Sequence, residues 1–191
     1  MIYYEAKDFP EDGLEATNED VTVHVPEGTP WKDYVLRGNK DGSILVSGEG
    51  NGNAYRYGYG YGNAYRTDSG SGNAVRHGSG EGSSVRDGKG EGYAKRSGKG
   101  KGNADRTGDG DGNARRSGNG RGNAWRSGEG EGNAHRSGKG NGHAWRSGKG
   151  YGHAGRTGDG NGHAWRDGDG NGDAMRYGSG NGNAYINGDK Q

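Results

Sequence analysis

Four side chains in successive units of this sequence carry metal-ligand chemistry: His143, His153, His163 and Asp173, each ten positions from the next. Three imidazoles and one carboxylate are a donor set that zinc accepts. Each follows a glycine, in a column that holds eight Asn, three His and one Asp over fourteen units, with only Ser83 and Tyr93 besides. Asn, Asp and His are the non-glycine residues most at home at positive φ. A turn conformation therefore accounts for the column without an ion, and the expectation is no metal and no cofactor. The Gly-x-Gly rhythm is shared with calcium-binding nonapeptides, but the period is ten and there is no Asp or Leu column.

Two columns further on, the rings gather. Tyr55, Tyr65, Trp125, Trp145, Trp165 and Tyr185 share one column with Val75, His135 and Met175, and Lys95, Asp105, Arg115 and Gly155 interrupt them. Such interruptions argue against burial. An exposed aromatic row can stack on bases or sugars, or form a protein-contact stripe. The next column is Arg from Arg56 to Arg176 without a gap. Thirteen like charges at the ~4.8 Å spacing of paired strands need compensation. A polyanion would supply it by bidentate pairing. So would a fold in which each guanidinium wraps the following turn, bonding carbonyls of adjacent coils and nearby Asp or Glu. The expected partner-binding residues are Tyr55, Tyr65, Trp125, Trp145, Trp165 and Tyr185 with Arg126, Arg146 and Arg166, and the partner is a protein, a glycan or a polyanion.

Enzyme signatures are absent. GYGHAG at 150–155 matches a dinucleotide fingerprint only through Gly155, with no strand–helix context around it. Outward side chains on a thin rod are not easily desolvated, which acid–base catalysis usually requires. Balanced charge, 26 basic against 25 acidic residues, advertises no nucleic-acid or membrane partner through net field. No Cys is present, so there is no disulfide framework. The opening MIYYEAKDFPEDG lacks a basic n-region and an apolar stretch, which predicts no ordinary signal peptide and a location in a host cytoplasm or on a virion.

What must position these columns is the repeat itself. With 47 Gly in 191 residues and 25% hydrophobic residues the composition is that of a disordered chain, yet Gly, Ala and Arg hold strict register from Gly48 onward. A flexible linker needs no register. The Gly-Asn pair reads as one turn and Ser-Gly, Thr-Gly or Asp-Gly as a second, five residues later. Between them Ala-x-Arg and x-Gly-x each alternate with a period of two. The expected fold is all-β: a thin β-solenoid with one 10-residue coil per repeat, two short strands per coil, and Ala of one facing Gly of the other. About 14 coils would then form residues 47–191, a rod roughly 65 to 70 Å long. Glu91, Lys101, Asp111, Arg121 and Glu131 alternate in sign as stacked neighbours should, while Lys139 and Lys149 do not. Residues 1–46, with Val21, Val23 and Val25 alternating, Ile44–Val46 apolar, and Trp31, Tyr34, Val35 and Leu36, are expected to cap the first coil. At the far end Ile186 replaces the Arg and Asp189, Lys190 and Gln191 close the chain.

The GxGNAxR decapeptide, as in GNGRGNAWRSG at 118–128, resembles the Gly-rich repeat proteins of temperate enterobacterial phages and prophages. That resemblance covers residues 48–188 and implies a viral origin, with no activity that transfers residue by residue. The functional expectation is a non-catalytic binding rod that presents its aromatic and Arg columns to a macromolecular partner, with no membrane involvement. A structural or adhesive virion fibre, built as a multi-chain β-helix or other homo-oligomer, is the second expectation. Ice or surface binding is the third, disfavoured because no outward column is uniformly Thr or evenly small.

Overall fold

The computed structural model describes residues 1–169 and 171–187 and the backbone of 189–190. Gly170, Gly188, Gln191 and the side chains of Asp189 and Lys190 lie outside the described residues. The chain is a parallel β-solenoid of two sheets, one of eleven strands and one of nine. Successive Ala-x-Arg segments alternate between the sheets. Ala104–Arg106, Ala124–Arg126, Ala144–Arg146 and Ala164–Arg166 lie in the first sheet, and Ala94–Ser97, Ala114–Ser117, Ala134–Ser137 and Ala154–Thr157 in the second. Register pairs residues twenty apart, as in Trp125 with Trp145 and Lys95 with Arg115.

This corrects the expected coil. One turn of the solenoid takes two decapeptides, each of which supplies one strand. The x-Gly-x segment is a bend and not a strand. The fourteen units therefore make seven coils, roughly 34 Å of rod at strand spacing. Ala64 and Ala114 have no exposed surface, and neither has any other residue of the Ala column from Ala54 to Ala164, Ser84 included. The Ala column is thus the inner wall of both sheets. Across the interior it meets the Ala-x-Arg strands of the opposite sheet and not a Gly strand, as Ser84 at an Ala position shows by touching the Arg76 N–H and the Lys95 carbonyl there.

The turns are closed by glycine at positive φ and by contact between coils. Gly142 has φ +155°, and a Cβ there would lie 2.0 Å from the carbonyl oxygen of Gly122 one coil below. Gly100 is limited by space alone, because its Cβ would sit 2.1 Å from the Gly80 oxygen. Asp68, which breaks the glycine column, adopts φ +70°, and its Oδ2 accepts the Gly48 N–H at 2.6 Å. Ser84, which breaks the Ala column, is fully buried, and its hydroxyl is satisfied by the Lys95 carbonyl and the Arg76 N–H, both at 2.7 Å.

Residues 1–46 continue the same sheets. Ile2–Glu5, Val21–His24 and Ile44–Ser47 lead into Ala64–Arg66, and Leu14–Glu15 and Lys32–Arg37 lead into Gly52–Tyr57. A one-turn 3-10 segment, Ala6–Asp8, lies between the first two strands. Here the interior is filled by Phe9, Val21, Val23, Val25, Tyr34, Leu36, Ile44 and Val46, so ordinary apolar burial supports the first coils. At the other end Asp189–Lys190 pairs antiparallel with Tyr185–Ile186. Among the described residues no helix is long and apolar enough to cross a membrane.

Candidate functional site

The Arg column lies inside. Arg56 to Arg156 have no exposed surface, and Arg166 is 1% exposed. Arg96 shows the arrangement. Its Nε donates to the Gly82 carbonyl at 2.7 Å, Nη2 to Gly80 at 2.7 Å, and Nη1 to Gly78 at 3.2 Å and to Ser97. Gly78, Gly80 and Gly82 belong to the same turn one coil earlier, so each guanidinium staples two stacked turns through carbonyls that the sheets leave unpaired. Burial, then the charges of Arg76 and Arg116, pushes Arg96 down to about 9, still protonated at neutral pH. Among the described residues no Arg of the column forms an ion pair. The expectation that Arg126, Arg146 and Arg166 face a partner is therefore corrected: their charge is solvated by backbone oxygens inside the rod.

The aromatic column lies outside, split by the twenty-residue coil. Trp125, Trp145, Trp165 and Tyr185 share the first sheet in consecutive coils, with centroids 5.0, 5.1 and 4.8 Å apart. The indole planes differ by 2° and 5°. Stacked so closely, the rings present edges to solvent, and Trp125 at the head is the most open at 40% exposed. Tyr65 lies on this same face beyond Val85 and Asp105. Tyr55 lies on the opposite face, stacked on Tyr57 at 5.6 Å, its hydroxyl pushed up to about 12 by burial and then by Asp33, Tyr93 and Tyr57. The two faces differ in kind. The first reads Leu45, Tyr65, Val85, Asp105, Trp125, Trp145, Trp165, Tyr185, and the second carries Lys95, Arg115, His135 and Gly155 at its centre. Asp105, next to Trp125 in register, is pushed up to about 6 by desolvation.

The column of Asn and His residues, Asn53 to Asn183, holds a function that residue preference did not reveal. Its residues are not at positive φ; among the described residues the non-glycine cases are Asn18, Asp68 and Asn187. Instead the side chains form acceptor ladders. Asn103 Oδ1 takes the Asn123 N–H at 3.0 Å, and Asn123 Oδ1 takes that of His143 at 2.9 Å. The histidines continue the pattern through Nδ1, His143 accepting from His163 at 3.1 Å and His163 from Asn183 at 3.1 Å. On the other side of the rod His153 accepts from Asp173 at 3.0 Å.

The four metal candidates therefore do not converge. His143 and His163 stack at 5.3 Å on one side, while His153 and the Asp173 carboxylate meet at 3.4 Å on the other. Their Nδ1 atoms already serve the ladders, and among the described residues no group of three metal-ligating side chains occurs. Between the Trp and His ladders runs a slot of about 240 Å³ lined by Asn123, Trp125, His143, Trp145, His163 and Trp165. Burial, with His163 and Arg156 adding to it, pushes His143 below the usual imidazole range, so His143 is neutral at neutral pH.

The apparent alternation of charge from Glu91 to Glu131 also divides. Glu91, Asp111 and Glu131 line one side of the rod together, while Lys101 pairs with Glu81 at 3.1 Å on the other. The clash expected of Lys139 and Lys149 disappears, since Lys149 pairs with Glu129 at 3.7 Å.

No family model, no curated protein and no solved structure matches this chain.

Proposed function

We propose that the chain is a non-catalytic binding rod whose working surface is the face bearing Trp125, Trp145, Trp165 and Tyr185. One observation carries this reading: the three repeat-region indoles and a tyrosine stand unbroken on one face, while the opposite face at the same height holds Arg115, His135, Gly155 and Met175. Inner columns are uniform because the coil requires them, whereas this outer row is neither required nor random. With the Arg column inside, no cationic row flanks the rings, so a protein or glycan suits this face better than a polyanion. The resemblance to phage repeat proteins supports a viral setting.

The experiment is capture of partners from a bacterial host lysate by the intact chain and by Trp145→Ala/Trp165→Ala, in parallel at low and high salt. The proposal expects a partner lost with the double variant and retained at high salt. A partner captured equally by both chains, or released by salt from both, overturns it. A second reading, a virion fibre element, is favoured by the strand Ala174–Tyr177, which ends its sheet with one edge unpaired among the described residues. Sedimentation of a stable oligomer at micromolar concentration would favour that reading.

A further inference from the structure

A second concavity lies away from the aromatic ladder, at the N-terminal end of the rod. It is a groove of about 1140 Å³ bounded by the 3-10 turn and by the segment from Pro26 to Asp33. Trp31, part of the segment expected to cap the first coil, is 55% exposed and lines this groove. In the extended segment that begins there, Trp31, Asp33 and Val35 alternate with the buried Tyr34 and Leu36, which sets Trp31 and Asp33 on the same outward face.

Asp33 is held in place. The Asn53 side-chain amide donates to its Oδ1 at 2.7 Å, and Asn53 is itself only 5% exposed. Asn53 Oδ1 is fixed in turn by the backbone and side-chain N–H of Asn73, at 2.8 and 2.9 Å. The first rungs of the Asn ladder thus orient the carboxylate of an exposed residue that lines the same groove as the open indole. Glu5 and Glu11 add acceptors to the groove wall and Lys7 adds a donor. Lys32 is turned away, its Nζ donating to the Phe9 carbonyl at 2.6 Å above the Phe9 ring.

Three carboxylates against two ammonium groups leave little net field to select an ion. Interleaved donors and acceptors around an apolar ring instead suit a ligand with closely spaced hydroxyls and a C–H face. That is the chemistry of a pyranose, and the volume exceeds one ring. We propose that this groove binds a short neutral oligosaccharide, with Trp31 packing against a sugar ring and Asp33 accepting from its hydroxyls. The site is independent of the aromatic ladder and stands whether or not that face binds a partner.

The test is saturation-transfer NMR on the intact chain with maltotriose, cellotriose, mannotriose and tri-N-acetylchitotriose at millimolar concentration. The expected result is transfer to at least one of them, with affinity reduced at least tenfold by Trp31→Ala and by Asp33→Ala and unchanged by Trp145→Ala. Both groove side chains are exposed, so unchanged far-UV circular dichroism verifies the fold of each variant. Absence of transfer with all four sugars overturns the proposal, as does binding that survives Trp31→Ala. Salt-sensitive binding of a tri-lysine or tri-arginine peptide in place of the sugars would assign the groove to a basic segment and overturn it equally.

Discussion

The buried arginine is the residue on which the coil depends. A guanidinium has five N–H donors and no acceptor, which suits an interior where only carbonyl oxygens are on offer. Arg96→Lys keeps the charge but supplies one compact head for oxygens spread over two turns. It is expected to lose about 2 to 3 kcal/mol, the scale of charge-assisted bonds given up. Arg96→Ala leaves the carbonyls of Gly78, Gly80 and Gly82 without these donors and opens a cavity, so a larger loss, about 3 to 5 kcal/mol, is expected. Urea unfolding midpoints measure both. Histidine supplies the pH dependence. Nδ1 of His143 and His163 accepts a backbone N–H only while that nitrogen is unprotonated. His143 titrates below its unfolded value of about 6.5, so the unfolded chain binds more protons in that range. Its contribution is therefore complete above about pH 6.5 and is lost as pH falls through the lower folded value. Stability should drop from pH 7.5 to pH 5 by about 1 kcal/mol, read as a lower melting temperature. His143→Asn/His163→Asn, which restores the amide acceptor used by Asn123, should reduce that drop, and an unchanged pH dependence would contradict this role.

At the scale of the element, much was legible and one thing was not. The columns show that Ala faces in, that the ring column faces out, and that Gly is required by space as well as by conformation. They do not show whether one decapeptide or two complete a coil, because every unit repeats the same Ala, Arg and Gly. Two signals were present. Trp125, Trp145 and Trp165 recur at twenty and not at ten. An inward Arg also needs more room than a coil whose walls meet through hydrogen and methyl. The Asn column was misread for a related reason, since a residue that tolerates positive φ is also a short acceptor able to reach the next coil. Gly142→Ala should cost several kcal/mol, because its Cβ meets a backbone oxygen that cannot step aside; thermal unfolding of the variant checks this. Removing residues 131–140 shifts every later strand to the opposite sheet while preserving all inner columns. The chain should still fold, with Trp145 and Trp165 stacked on each other but parted from Trp125. Near-UV circular dichroism should show one of the two indole couplings lost, whereas removal of residues 91–110 should leave both.

For the whole molecule, stability is divided unequally along the rod. The first coils bury Phe, Val, Leu, Ile and Tyr, while the later ones bury Ala and carbonyl-bonded Arg. The apolar end gives the repeats a formed edge on which to stack, and each further coil is held by its neighbour. The candidate surfaces follow this division, a polar groove at the apolar end and an aromatic ladder along the later coils. Their visibility in the sequence differed accordingly. The ladder residues stood out as a column, but the groove brings Glu5 to Trp31 and Asp33 through folding alone. Everything rests on the twenty-residue coil, and the absence of Cys allows a direct test. A disulfide requires Cα atoms within about 7 Å, which adjacent strands satisfy and opposite sheet faces do not. Lys95→Cys/Arg115→Cys, neighbours in register, should oxidise to an intramolecular disulfide, and Lys95→Cys/Asp105→Cys should not. Ready cross-linking of the 95–105 pair with none for 95–115 would establish a ten-residue coil and contradict the structure described.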